Sequence, residues 1–465
     1  MTGWLFPFCY DDAFISFRIT ENLVDFGVPF FNRNHPVYTS TSILYPIWNA
    51  IWKLSIGKDW IEHIGWLNGM LQAATLARIF YLLHKKTESY QALFIAILCI
   101  GPLALGVNQL AVGNSGLETA FYQLALAFTL LPSSFRERTS LFFSWILGFI
   151  RPEGFLVGIT LAAELATSRR WKLAGYQLLI GALAVGLWAF VGLWVFGSVL
   201  PQSIMAKSNH HIDRLSELKS GYGYALFQGY GLFSLLIGSA LFQFPQLRRE
   251  FAVLLLWILF YTFFFSVLAA WWPWYVPPLL VPIMYMAGRS AICWTEELPR
   301  IFSNRNLLLA SVCLLSFSVF TFYNTEQVLQ KQSVAFQIRK ESSKKLGHWL
   351  ESNLKLGENV LLEPLGLIGY YSPQIEILDY PGLSSPPMSV FLHSLPWKIP
   401  HRLTDAATDS AILVQFRPNY LLLFPEEESA FASIDFCNKH YQKMDSLPYY
   451  PPDKRFDQAL IYKIK

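Results

Sequence analysis

Charged side chains are scarce in this chain: Asp, Glu, Lys and Arg make up 15% of 465 residues, and the formal net charge is +4. So little charge, spread between loops, leaves no basic face that would track a nucleic-acid backbone. Cysteine is equally sparse. Cys9, Cys99, Cys293 and Cys313 lie in or beside apolar segments, and Cys437 stands alone in the polar C-terminal part. Their spacing gives neither a disulfide framework nor a metal-type pair. Internal repeats and low-complexity tracts are missing, as is the basic n-region of a cleavable signal ahead of the apolar stretch Met1 to Cys9. Those nine residues are too short to span a membrane. They read as an interfacial stub or as the end of a longer segment, and an upstream start is expected, because the polar stretch that follows must be delivered to one side.

Apolar residues are what the chain has in excess, at 53%, with 16 Trp, 22 Tyr and 38 Phe. Crossing a hydrocarbon layer of roughly 30 Å takes about 20 residues of helix. Apolar helical segments are expected at about 60–84, 91–107, 117–132, 173–196, 222–244, 251–270, 275–292 and 307–323, which makes a polytopic α-helical bundle with about eight complete crossings. Two shorter pieces between 140 and 167 are split by Arg151-Pro152-Glu153-Gly154.

Basic residues gather in His84-Lys85-Lys86, Arg136-Glu137-Arg138, Arg169-Arg170-Trp171-Lys172, Arg248-Arg249 and the 289–305 connection. The positive-inside rule makes those loops cytoplasmic. Residues 10–59, 107–117, 150–154, 197–221, 270–275 and everything after 324 then face outward. Loops 133–139 and 168–172 both come out cytoplasmic only if two half-helices enter and return between them. Their irregular turn is tolerated at membrane depth where protein or a wet cavity surrounds it. The division expected is residues 1–323 as a transmembrane domain and 324–465 as a small soluble domain. In the latter, 333–355 reads as an amphipathic helix, and 359–362, 420–423 and 459–462 read as strands, hence α/β.

Asp11-Asp12 opens an amphipathic segment through Ile19 that suits a helix lying along the outer interface. One of the two acids can be explained as a helix cap; the pair is harder to explain that way. Arg18 follows Asp11 by two helical turns, so both can face one side. A carboxylate beside a guanidinium stays ionised, as a general base for a hydroxyl requires.

From Asp11 to Arg18, then through Asn22-Leu23, Gly27, Phe31-Asn32 and Tyr38-Thr39-Ser40, the chain resembles the first outer loop of bacterial GT-C glycosyltransferases. The look is nearest to the terminal arabinofuranosyltransferase-like branch. Ser115-Gly116-Leu117-Glu118-Thr119, Arg151-Pro152-Glu153-Gly154, and Gly369-Tyr370-Tyr371-Ser372 with Asp379 and Gly382-Leu383 continue the resemblance in order. It implies an inverting transferase in a bacterial cytoplasmic membrane. Such an enzyme takes sugar from a polyprenyl-phosphate carrier and gives it to an envelope glycan or lipid hydroxyl on the outer face. The family's catalytic base maps onto Asp11 or Asp12.

A leaving lipid phosphate calls for cationic or N–H donors. Leu200 to Lys207 with His210-His211 is the outer loop that offers them, and it is similar to a family motif ending in Ala-Lys. Gln202, Ser203 and Met205 depart from that motif, while Lys207 keeps the cation. The plainer reading of Lys207 is a snorkelling interfacial lysine, and two adjacent histidines rarely converge on one metal ion. Arg18, Lys207, Arg151, Glu118, Glu153, His210 and His211 are the expected donor-binding residues. For Glu118, Arg151 and Glu153 the competing reading is a structural ion pair inside the bundle. No cofactor is implied, and the part of a divalent cation stays open. His35-Pro36-Val37 stands where the family often has an acid, which leaves the sugar unspecified. A polytopic glycan transporter or an inactive assembly subunit are the readings from other classes. The transporter would be expected to show repeats and midplane binding residues.

Overall fold

The computed structural model describes residues 8–208, 223–267, 273–297, 304–397, 399–400, 402–449 and 458–465; the side chains of 134–140, 207–208, 223–230, 232 and 304–307 lie outside that description. The helices run α1 (Asp11–Phe26), α2 (Leu44–Ile56), α3 (Ile64–His84), α4 (Tyr90–Ala104), α5 (Thr119–Thr129), α6 (Ser134–Ile150), α7 (Phe155–Thr167), α8 (Trp171–Phe196), α9 (Gln202–Ser208), α10 (Gly223–Gln243), α11 (Pro245–Val267), α12 (Pro277–Glu297) and α13 (Asn304–Asn353). After them come β1 (Asn359–Leu362), α14 (Leu365–Tyr370), β2 (Glu376–Asp379), α15 (Pro386–Ser394), α16 (Ala406–Phe416), β3 (Tyr420–Leu423), α17 (Pro425–Ala432), α18 (Asp435–His440), β4 (Tyr441–Pro448) and β5 (Gln458–Ile464).

Contacts divide the chain into two units. The first comprises His63–Gly186 and Asp213–Lys331, the second Pro7–Glu62, Leu187–Ile212 and Gln332–Lys465. Both units draw on separate stretches of the chain, and the boundary within α13 falls between Lys331 and Gln332. α13 contains no proline, and its one glycine is Gly347, so nothing in the sequence stops the helix between the apolar stretch and the amphipathic one.

The first unit is helical. Among the described residues, three helical stretches are long and apolar enough to cross a membrane: Trp171–Phe196, Pro273–Glu297 and Leu308–Asn353. α12 is buried along most of its length, whereas Leu183, Trp194, Leu308 and Phe320 are exposed. Outward-facing apolar surface of that extent suits a lipid environment rather than water. Two of the other expected crossings fall on shorter helices, α4 with 15 residues and α5 with 11. α5 is preceded by a π-helical turn, Asn108–Val112, instead of continuing that helix backward. An amide network ties this region together: Gln123 Nε2 donates to Gln109 Oε1 at 2.8 Å and to the Pro277 carbonyl at 2.7 Å, and Gln72 Nε2 donates to the Gln109 carbonyl at 2.7 Å. The expected break within 140–167 is present. Arg151 is extended, Pro152 opens a 3₁₀ turn, and α7 follows. A Cβ on Gly154 would lie 2.3 Å from the Leu147 carbonyl, so only glycine lets this turn close onto α6.

The second unit is α/β, with a five-stranded sheet ordered β2-β1-β3-β5-β4. β1 runs parallel to β2 and β3, and β5 runs antiparallel to β3 and β4. Each face carries its own core. Ile15 and Ile19 of α1, with Leu346 and Leu350 of α13, cover one side. Met388, Leu392, Ile412, Leu413 and Phe431 cover the other. Residues 13–20 of α1 are all buried, so this helix is a core element and not an amphipathic one with an open face. α1 ends at Gly27, whose positive φ of 71° closes the last turn.

Candidate functional site

Asp11 begins α1 and is tied to the C-terminal α/β fold. Its Oδ2 accepts the Gly366 N–H at 2.8 Å, and its Oδ1 accepts the Leu367 N–H at 3.1 Å, so the carboxylate supplies the first turn of α14 with an acceptor from a distant segment. Arg339 of α13 donates to the same Oδ1 at 3.1 Å. Arg339 lies in the field of both Asp11 and Asp12.

Arg18 does not pair with Asp11. Seven residues place the two on one side of the helix but about 10 Å apart along its axis, and each reaches a different part of the α14 region. Arg18 Nη1 donates to the Gly369 carbonyl at 2.6 Å, and Nη2 donates to those of Ile375 and Pro373 at 3.2 and 3.3 Å. Its guanidinium lies 4.1 Å from the Phe31 ring centre, and the residue is 1% exposed. Burial, with Arg33 adding, pushes its pKa down to about 9. Three backbone carbonyls therefore take the Arg18 hydrogen bonds.

A second cluster escaped sequence reading. Lys53 of α2 pairs with Glu21 and, at 2.7 Å, with Asp25, while Trp60 Nε1 donates to Glu21 at 2.8 Å. The two acids are four residues apart on α1, a spacing that marks a shared face, but the lysine that joins them lies far along the chain. Gln202 of α9 donates to the Gly382 carbonyl at 3.1 Å, and its own N–H donates to the Tyr38 carbonyl at 2.7 Å. Tyr38 stacks on Phe196 with ring centres 4.5 Å apart. Lys207 belongs to α9 by its backbone and its side chain is outside the described residues; His210 and His211 lie outside them altogether.

In the first unit, Arg151, Glu118 and Glu153 do come together. Arg151 Nε lies 2.6 Å from Glu153 Oε1 and 3.7 Å from Glu118 Oε1, and Nη1 donates to the Trp274 carbonyl at 3.2 Å. Tyr275 and Tyr122 flank the guanidinium at 5.0 and 5.6 Å. Arg151 is 2% exposed and both acids are buried. Buried charges survive only when paired, and here one guanidinium faces two carboxylates. Among the described residues, no group of three or more His, Cys, Asp or Glu side chains is arranged to hold a metal ion.

A family model described as a domain of unknown function, DUF8728, matches residues 329–462, which covers the second half of α13 and the C-terminal sheet through most of β5. No curated protein matches the chain by sequence. Two solved structures are similar over nearly the whole length, both of ArnT from Cupriavidus metallidurans. The apo structure has a TM-score of 0.53 at 11% identity, covering 98% of this chain and 94% of that one. The structure bound to undecaprenyl phosphate has a TM-score of 0.55 at 11% identity, covering 99% and 95%. At that identity the likeness is one of fold, and this chain shares the fold of ArnT.

Proposed function

We propose that the chain is a membrane glycosyltransferase of the GT-C type, moving a sugar from a polyprenyl-phosphate donor to an acceptor hydroxyl. The observation that carries this reading is the fold likeness to ArnT from one end of the chain to the other, including a structure that holds undecaprenyl phosphate. Fold alone does not fix chemistry, and the ordered motifs of the sequence add the second support.

In this reading the active face is outside the cytoplasmic membrane, about eight helices cross the bilayer, and the C-terminal α/β domain is extracytoplasmic. Asp12 is the base. Asp11 already gives both oxygens to Gly366, Leu367 and Arg339, which suits it to hold the loop in place. The Asp12 carboxylate takes the acceptor's O–H proton as that oxygen attacks the anomeric carbon. The bond from that carbon to the phosphate oxygen breaks, polyprenyl phosphate leaves, and the configuration inverts. Lys207 meets the phosphate charge, and Arg151 with Glu118 and Glu153 orients the donor head group.

Mass analysis of envelope glycans from cells lacking the protein tests this reading. A single missing sugar residue, restored by the wild-type gene, is the expected result. An unchanged glycan profile overturns it.

A further inference from the structure

The second unit contains a polar cavity of about 310 Å³. Tyr370 and Tyr371 form one wall, edge to face with ring centres 5.2 Å apart. Phe14 braces Tyr370 from behind at 5.5 Å, and the Tyr370 hydroxyl donates to Glu21 at 3.4 Å. Burial, then Glu62 and Glu341, hold the Tyr371 hydroxyl above its ordinary pKa, so it stays a donor at neutral pH.

α13 supplies a second wall with Lys340, Glu341 and Lys344. Lys340, Lys344 and Gly347 follow one face of that helix at helical spacing. A Cβ on Gly347 would lie 2.7 Å from Tyr371 Cβ, so the glycine lets the helix face seat directly on the tyrosine turn. Lys58, Asp59 and Glu62 complete the rim, and Glu62 pairs with Lys340 at 2.5 Å.

Three ammonium groups and three carboxylates therefore face one space beside two aromatic rings. An anionic ligand would meet three carboxylates there and a cationic one three ammonium groups. An uncharged polyol fits both sets, because each hydroxyl donates to a carboxylate and accepts from a lysine, while a pyranose C–H face can lie against a tyrosine ring. The volume is at the small end of ligand sites, roughly 300–1,000 Å³, which suits one or two sugar units. We propose that this cavity binds an uncharged sugar unit of the acceptor glycan. The word acceptor rests on the glycosyl-transfer reading; the sugar chemistry rests on the cavity.

The test uses the full-length protein in detergent micelles over an array of uncharged and anionic oligosaccharides from bacterial envelopes. Wild type should retain uncharged oligosaccharides, and Tyr371→Ala and Lys344→Glu should each weaken retention at least tenfold. Lys344 is exposed, so its substitution is expected to leave the fold intact, with the thermal unfolding of each variant as the check. Retention of anionic oligosaccharides instead, no retention of any uncharged one, or retention indifferent to both substitutions overturns the assignment. Retention that behaves as expected in a protein that transfers nothing from polyprenyl-phosphate sugars would leave the cavity standing and remove the transferase reading alone.

Discussion

Gly366 donates its N–H to Asp11 Oδ2 at 2.8 Å, and a Cβ added to it would lie 1.9 Å from the Asp11 carbonyl oxygen. Backbone meets backbone at that point, so no side-chain rearrangement relieves the clash. Gly366→Ala should destabilise the second unit by about 1–3 kcal/mol, the usual cost of overpacking. Thermal unfolding of the purified protein in detergent checks this, and a transition unchanged within a degree would contradict it.

Arg18 satisfies three carbonyls from within the fold. Arg18→Met keeps much of the bulk and removes the donors; the Gly369 carbonyl keeps the Ser372 N–H at 3.3 Å, so the expected loss is about 1–3 kcal/mol in all, chiefly from the Ile375 carbonyl. Arg18→Lys should recover only part, because an ammonium cannot reproduce the planar fork. Hydrogen exchange at Ile375 and Ile377 is the local readout, and protection should fall in the order wild type, Lys, Met.

Arg151 faces Glu118 and Glu153 within the helical unit. Arg151→Met leaves two buried carboxylates without their counter-charge, and the expected loss is about 3–5 kcal/mol. The double variant Arg151→Met with Glu153→Gln should be more stable than the single one. Unfolding midpoints in the same detergent measure both, and a double variant less stable than the single would show that the pairing is not what holds this turn.

Asp409 is fully buried in α16. Burial, with Asp405 and Glu363 adding, raises its pKa from 3.8 to about 8. The folded chain thus keeps a proton that the unfolded chain has released, so stability falls as pH rises across that window and levels off above it. Hydrogen exchange of the α16 amides, corrected for intrinsic rate, should show less protection at about pH 8.5 than at about pH 5. Asp409→Asn should flatten the dependence; an unchanged slope in that variant would assign it elsewhere.

Where apolar pattern and covalent neighbours decide the outcome, the sequence was readable: β1, β3 and β5 are short apolar runs, and the break at Arg151-Pro152 falls where proline and glycine require it. β2 reads Glu-Ile-Leu-Asp, too short and too charged to stand out before its parallel pairing with β1 is known. β4 is an edge strand with mostly exposed, polar side chains, so it carries no apolar alternation. α1 was legible as a helix, but its burial was not, because Ile15 and Ile19 meet partners more than 300 residues away. The same distance hid the partners of Asp11 and Arg18. Only Arg151 and Glu153, which stand on either side of Pro152 in one turn signal, could be anticipated as a pair.

Transfer of labelled sugar from a polyprenyl-phosphate donor mixture to envelope glycan, by the protein reconstituted in liposomes, tests the central claim most directly when Asp12→Asn and Asp11→Asn are compared. Loss of the base should lower the rate about 10²–10⁴-fold in Asp12→Asn, whereas Asp11→Asn should chiefly lower the unfolding temperature. Full transfer by Asp12→Asn, or no transfer by wild type from any donor in the mixture, would contradict the account.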